Sequence, residues 1–134
     1  MSVLVFDWGL KDIGVAVADE AMNMAFPLTT ITTRAGKFHQ ASFAKMFKEY
    51  QPRQVVVGMP LNMDGTETEY ATSVKKFAHE MHLAFNVEVS FVDERLTTFE
   101  AVQRSGEEIP DDSLAAQVIA ESWLNQNKVG DRQV

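Results

Sequence analysis

Blocks of apolar residues predict three strands in the first third of the chain. Residues 3–8 are apolar apart from Asp7, which is typical of a strand buried on both faces of a sheet. Residues 13–18 predict a second strand that pairs with the first as a hairpin. Residues 24–33 predict a third strand, and Pro27 restricts it to a sheet edge or a strand start because proline lacks an N–H donor.

The middle of the chain alternates between helical and strand patterns. Residues 39–50 have apolar side chains at helical spacing, and Pro52 ends the predicted helix. Residues 54–59 form a β-branched run that predicts a buried strand, and residues 87–92 predict a fifth strand. The turn signal Asp64-Gly65 predicts a loop after the fourth strand.

Further helices are predicted after this loop and at the end of the chain. Thr66 and Glu69 have the spacing of a capping box, which predicts that a helix begins beside them. Residues 97–105 predict a short helix, and residues 112–126 predict the last one, followed by a frayed tail over 127–134. The core face expected for the helix after the capping box comprises Tyr70, Val74, Phe77, Ala78, Met81 and Phe85.

This order of elements predicts a single α/β domain over residues 1–134, with a five-stranded mixed sheet and helices on both faces. The length of 134 residues and a hydrophobic content of 46% suit one domain with a substantial core. Cysteine is absent, which excludes disulfides and thiolate metal ligands. No apolar run reaches about 18 residues and no signal peptide is apparent, so a cytoplasmic protein without a membrane partner is expected.

The net charge of −7 argues against a non-specific polyanion binder, which would carry a basic face. An acidic chain can still act on nucleic acid when bound metal offsets the charge of its site. The acidic residues at element boundaries are therefore the first candidates for chemistry.

Asp7 ends the first predicted strand, where a charge has to be paired, hydrated or metal-bound. It could cap a turn amide near Gly9, or it could belong to a site, since open α/β sheets bind ligands beyond the carboxyl ends of their strands. Gly14 in the second strand has no side chain, so another group can approach its backbone closely.

Two other acidic positions have simple structural interpretations beside the functional one. Alternation along the fifth strand separates Asp93 from Glu94, and Asp93 in particular fits a solvated loop in which Arg95 neutralises a carboxylate. Asp112 begins a helix, where a carboxylate is favoured by free amides and by the helix dipole. On its own, this position favours an N-cap over a ligand, and the neighbouring Asp111 could serve as the cap equally well.

Five sequence blocks together resemble the YqgF/RuvX family, the Holliday-junction-resolvase-like proteins that are also described as nucleases maturing the 5′ end of pre-16S ribosomal RNA. The combination of Gly-Met-Pro-Leu-Asn-Met-Asp-Gly with Asp-Glu-Arg-Leu is the most specific part, and the resemblance covers about residues 3–124. The blocks lie at residues 6–9, 13–17, 57–66, 93–98 and 112–116.

The resemblance implies a ribonuclease H-like fold and a metal-dependent nuclease. It assigns Asp7, Glu94 and Asp112 as catalytic residues and as ligands of Mg²⁺ or Mn²⁺, with two ions hypothesised because hard oxygen ligands on separate elements suit such a site. We hypothesise Lys11, Asn62 and Arg95 as substrate phosphate contacts.

The implied partner is nucleic acid, either precursor ribosomal RNA or branched DNA, and the implied assembly is a monomer or a weak homodimer. Residues 105–111 depart from the family, whose members often have a longer, basic stretch there, whereas here it is short and acidic. This departure keeps two alternatives open beside rRNA processing: a resolvase acting on branched DNA, and a ribonuclease H-like assembly module without catalysis.

Overall fold

The computed structural model describes residues 2–33, 37–93 and 112–133, and it describes side chains in the last segment up to residue 126. The strands are β1 (Ser2–Asp7), β2 (Asp12–Asp19), β3 (Met24–Thr32), β4 (Gln54–Met59) and β5 (Glu88–Asp93). The helices in this part of the chain are α1 (Gln40–Tyr50), α2 (Ala71–Phe85) and α3 (Asp112–Gln133).

The strands form one five-stranded mixed sheet in the order β3-β2-β1-β4-β5, with β1 at its centre. β1 pairs antiparallel with β2 and parallel with β4, and β5 continues the parallel half. The predicted mixed sheet and the predicted hairpin between the first two strands are therefore confirmed.

The third strand lies at the edge of the sheet, as Pro27 predicts. The pairing of β2 with β3 changes register here, because Val15 lies opposite Thr29 whereas Ala16 lies opposite Pro27. Leu28 is thus the extra residue of a β-bulge next to Pro27, and sheet edges and bulges are the places where a strand tolerates proline.

Each face of the sheet packs against helices through its own hydrophobic cluster. Phe6 of β1 lies on the face covered by α1 and α2, where its ring makes edge-to-face contacts with Phe43 and Phe77 at centroid distances of 5.6 and 5.8 Å. The other face packs against α3 through Val3, Val5, Ala16, Ala18, Val56, Val92, Ala116, Ile119, Ala120 and Trp123. Helices on both faces were predicted, and this prediction is confirmed.

The predicted capping box is wrong. Asp64 accepts hydrogen bonds from both the backbone N–H and the hydroxyl of Thr66, at 3.0 and 2.6 Å, so Thr66 belongs to the preceding loop. The helix begins at Ala71 instead, after the N-cap residue Tyr70, which provides no side-chain cap. Tyr70 was expected in the core, but it precedes the helix and is 41% exposed.

The last helix continues beyond its predicted end at residue 126 and reaches Gln133. A frayed tail was expected over 127–134, whereas the backbone is helical through most of that segment. No proline interrupts these residues, and a single Gly130 weakens a helix without ending it. The predicted short helix over 97–105 lies outside the described residues. Within the described part of the chain, no helix is long and apolar enough to span a membrane.

Candidate active site

Asp7 is the last residue of the central strand, at the carboxyl edge of the sheet. It is half-buried. Because side chains alternate along a strand, Asp7 shares the face of Val3 and Val5, which pack in the cluster against α3. This carboxylate therefore belongs to the α3 face.

Gly14 connects Asp7 with the start of α3. It pairs with Asp7 across the β1–β2 ladder, and the backbone of Asp112 lies against it on the face of the sheet that packs against α3. A Cβ atom placed on Gly14 would clash with the carbonyl oxygen of Asp112 and would lie 3.0 Å from the Cβ of Asp112, which is closer than normal contact. The close approach predicted at Gly14 is thus confirmed, and the group that approaches is Asp112.

Asp112 is the first residue of α3 and is half-buried. A carboxylate here is favoured by the helix dipole. The same position also brings Asp112 to the edge of the sheet where β1 ends, beside the ladder position of Asp7. An N-terminal role in the helix and a role in a site are compatible, since a carboxylate has two oxygens and several lone pairs.

Asp93 ends β5 and pairs with Met59 at the carboxyl end of β4. It is exposed, and it alternates with Val92, which is buried in the cluster against α3. Asp93 is thus on the opposite side of its strand from the α3 face, and it is the last residue of β5 rather than part of the loop that was expected. Glu94 and Arg95, the next two predicted site residues, lie outside the described residues.

No group of three or more acidic or histidine side chains that could hold a metal ion occurs within residues 2–33, 37–93 and 112–126. Asp7 and Asp112 provide two carboxylates from separate elements, and oxygen donors of this kind suit Mg²⁺ or Mn²⁺. A site of three carboxylates requires a further donor from a segment beyond these ranges.

The predicted phosphate contacts that the structure describes lie in exposed turns. Lys11 is in the β1–β2 turn, which is fixed to the end of β3 because the Thr33 N–H donates to the Lys11 carbonyl at 2.7 Å. The Asn62 amide donates to the hydroxyl of Thr66 at 3.0 Å and to the Glu67 carbonyl at 3.3 Å. The donors of Asn62 therefore shape their own loop.

Sequence reasoning missed a cavity of about 290 Å³ beside this edge, on the face covered by α2. Trp8, the residue after Asp7, forms part of its wall together with Phe38, and Lys37 and Lys76 lie at its margin. The cavity joins three distant segments, so no local motif marks it. The one signal available was a tryptophan directly after a candidate catalytic carboxylate.

Comparison with known proteins identifies the family. Residues 1–126 match the family model of RuvX, described as Holliday junction resolvase. The chain belongs to the RuvX family. Family membership identifies it as a nuclease, an enzyme that hydrolyses phosphodiester bonds, and confirms the resemblance seen in the five sequence blocks.

Curated relatives of this RuvX chain match it over nearly the full length. A protein of Aeromonas salmonicida is 41% identical over 133 residues, covering 93% of this chain and 95% of the relative, and is named "Putative pre-16S rRNA nuclease". A protein of Saccharophagus degradans with the same name is 42% identical over 134 residues, with 94% of both chains covered.

Solved structures similar to this RuvX chain share its fold at low sequence identity. Thermus thermophilus RuvC, solved in complex with a Holliday junction substrate, has a TM-score of 0.64 at 16% identity and covers 97% of this chain and 96% of its own. The fowlpox virus Holliday junction resolvase has a TM-score of 0.56 at 14% identity and covers 94% of this chain and 99% of its own. The fold is thus the ribonuclease H-like fold of these resolvases, as the sequence resemblance implied.

Proposed function

We propose that this RuvX chain is a divalent-cation-dependent nuclease of the cytoplasm that cleaves structured nucleic acid, with 5′-end processing of pre-16S rRNA as its activity. The observation that carries the proposal is the approach of Asp112 to Gly14, directly across the ladder from Asp7. Relatives that match over nearly the whole chain are named for the same RNA. The substrate and the cation are part of this proposal.

The proposed ligands and catalytic residues are Asp7, Glu94 and Asp112. Val92 supports the inclusion of Glu94, because it faces α3 and stands two residues before Glu94 in the sequence. When bound, two Mg²⁺ or Mn²⁺ ions would supply an activated nucleophile and would offset the charge of the leaving oxygen. Lys11, Asn62 and Arg95 are proposed as phosphate contacts.

The contribution of the chain itself is to hold the carboxylates in fixed positions. Asp7 belongs to a strand that is hydrogen-bonded on both sides, and four consecutive residues before it are fully buried. Asp112 is held by the packing of α3, whose inner face is fully buried at Ala116 and Ile119. Rigid placement of this kind is what catalysis by positioning requires.

Asp7→Asn tests the proposal, with Asp93→Asn as a matched control. Both changes remove one carboxylate from the end of a strand, but Asp93 lies on the side away from α3. We expect Asp7→Asn to lower Mn²⁺-dependent cleavage of a precursor 16S rRNA fragment at least about a hundredfold, and Asp93→Asn to leave it near wild type. Normal cleavage by a folded Asp7→Asn variant would remove Asp7 from the mechanism.

A second candidate substrate is a four-way DNA junction, which the fold shared with RuvC favours. The same assay with junction DNA separates the two: preferential cleavage of the junction would replace rRNA processing by resolution. Resolution of a junction also requires two active sites, so sedimentation with and without the junction tests independently whether two copies of this chain assemble on it.

A third candidate is an assembly module without catalysis. The net charge of −7 and the acidic segment over 105–111 favour it, because both weaken attraction to phosphate. Binding of the RNA with no cleavage at any Mn²⁺ concentration would establish this alternative. Cleavage that depends on Asp7 would exclude it.

A further inference from the structure

The cavity beside the candidate active site combines an aromatic wall with two lysines. Its volume is about 290 Å³, at the lower end of pockets that bind small organic groups. Trp8 and Phe38 line it and pack against the core cluster, so their rings are held from behind. A wall of supported rings offers a flat apolar face to a planar ligand.

Tyr70 extends this aromatic surface toward solvent. Its ring centroid is 6.2 Å from that of Trp8, the two planes are inclined by 46°, and Tyr70 is 41% exposed. The ring stands at the start of α2, where it contributes no side-chain cap to the helix. An exposed tyrosine beside a half-buried tryptophan is the kind of surface on which nucleobases stack.

The charge at the cavity is opposite to that of the whole chain. Lys37 and Lys76 line it in a protein of net charge −7, and both side chains are exposed. Neither lysine belongs to an ion pair among the residues the structure describes. The neighbouring Lys75 differs, since its ammonium lies 2.6 Å from the carboxylate of Glu67. Glu80 also lines the cavity, one helical turn after Lys76, and adds a hydrogen-bond acceptor.

We propose that this cavity binds one unpaired nucleotide of a single strand of the substrate. Its base would stack on Trp8 and Tyr70, and its phosphate would lie at Lys37 and Lys76. Trp8 follows Asp7 directly, and their side chains lie on opposite faces of the sheet, so a nucleic-acid strand would contact both by crossing the carboxyl edge from one face to the other. This proposal rests on the proposed nuclease function and adds that a single-stranded segment flanks the cleaved bond.

The test measures binding of a short single-stranded RNA, end-labelled for anisotropy, in buffer containing EDTA so that no cleavage occurs. We expect Tyr70→Ala to weaken binding about tenfold through the lost stacking. Lys76→Ala should weaken binding several-fold. The slope of log K against the logarithm of the salt concentration should become less steep by about 0.7, the value for one lost phosphate contact to a single strand. Lys75→Ala is the matched control, with the same charge change one residue away in α2, and should have clearly less effect.

Each outcome of this comparison decides the proposal. Equal weakening by Lys75→Ala and Lys76→Ala would show general electrostatic attraction and overturn it, as would wild-type binding by a folded Tyr70→Ala variant. Thermal melting of each variant checks that it is folded. Trp8→Phe is a second stacking variant that keeps a ring against the core, and we expect it to lose less RNA affinity than Tyr70→Ala. Because binding is measured without cleavage, failure of the cavity and failure of the nuclease proposal are separable: the latter appears only in the Asp7→Asn cleavage assay.

Discussion

Charged side chains are arranged differently at the two ends of the sheet. At the amino end of β1, Arg53 forms a bidentate pair with Glu20 at 2.5 and 2.6 Å, and its guanidinium also lies 5.9 Å from the ring of Trp123. At the carboxyl end, two acidic residues from separate elements, Asp7 and Asp112, both have their backbones against Gly14. One end joins opposite charges, which stabilises the fold, whereas the other gathers like charges.

This comparison indicates which end of the sheet contributes to stability and which end contributes to function. Like charges brought together raise the free energy of the folded state unless a cation or another positive group offsets them. The amino end has no such cost, since Arg53 is held by Glu20 and by the aromatic ring. We therefore expect changes at the carboxyl end to lower cleavage. Changes at the amino end should lower the melting temperature and leave cleavage unchanged.

Gly14→Ala should have the largest effect. The added methyl group would clash with the Asp112 carbonyl oxygen, so the start of α3 would have to move away from β2. We expect a loss of unfolding free energy of about 3 kcal/mol and a loss of cleavage beyond what partial unfolding explains. Thermal melting and the Mn²⁺ cleavage assay measure the two effects.

Ala16→Val is the control for Gly14→Ala, because Ala16 lies on the same face of β2 in the cluster against α3 but further from the sheet edge. It crowds the same interface two residues further along β2 from the glycine that Asp112 contacts. Comparable loss of cleavage in both variants at equal melting temperature would contradict a specific positioning role for Gly14.

Addition of Mg²⁺ should have an intermediate effect on stability. A cation that binds the folded state only should raise the unfolding free energy by about 2.7 kcal/mol at a concentration about 100-fold above its Kd. The increase should disappear in Asp7→Asn and persist in Asp93→Asn. Equal stabilisation of both variants would show that the cation binds elsewhere.

Glu20→Gln should have the smallest effect, a loss of about 1 kcal/mol or less, because about a third of each partner of this ion pair is exposed and solvent screens it. The hydrogen bond from Arg53 holds the pKa of the Glu20 carboxyl below its ordinary value. The pair therefore contributes fully above that ordinary value, and the contribution is lost as the pH falls through the lowered pKa. Melting temperatures of wild type and Glu20→Gln should thus converge in acid.

Glu67→Gln is the control for this pair, since the Lys75–Glu67 bridge is about half exposed on both sides and should contribute less. Cleavage at neutral pH should be unchanged in both variants. A loss of cleavage in Glu20→Gln without a loss of stability would contradict the separation between the two ends of the sheet.

The sequence predicted the sheet well because its signals are local. Each strand is a short apolar run, and Pro27 marks an edge strand by its missing donor. The start of a helix was harder to predict. Thr66 has the spacing of a cap, but its backbone N–H and its hydroxyl both donate to Asp64, two residues earlier. Competition between nearby acceptors is decided by loop geometry, which spacing alone does not reveal.

The candidate site was predictable only in part. Gly14 predicted a close approach, but only the packing of α3 shows that the approaching residue is Asp112. Position alone favoured an N-cap for Asp112, because a carboxylate at a helix start can serve either as a cap or as a ligand. The cavity at Trp8 and Lys76 could not be predicted, since its residues lie far apart in the sequence and carry no shared motif.

The β-bulge at Leu28 affects how copies of this protein meet at high concentration. An exposed strand can template sheet growth between molecules, and a proline beside an irregular register makes the β3 margin a poor template. The opposite margin of the sheet is β5, whose residues Glu88–Asp93 contain no proline. Among the described strands, β5 is therefore the margin where we expect strand addition between copies to start, and its terminal carboxylates, Glu88 and Asp93, should oppose that addition.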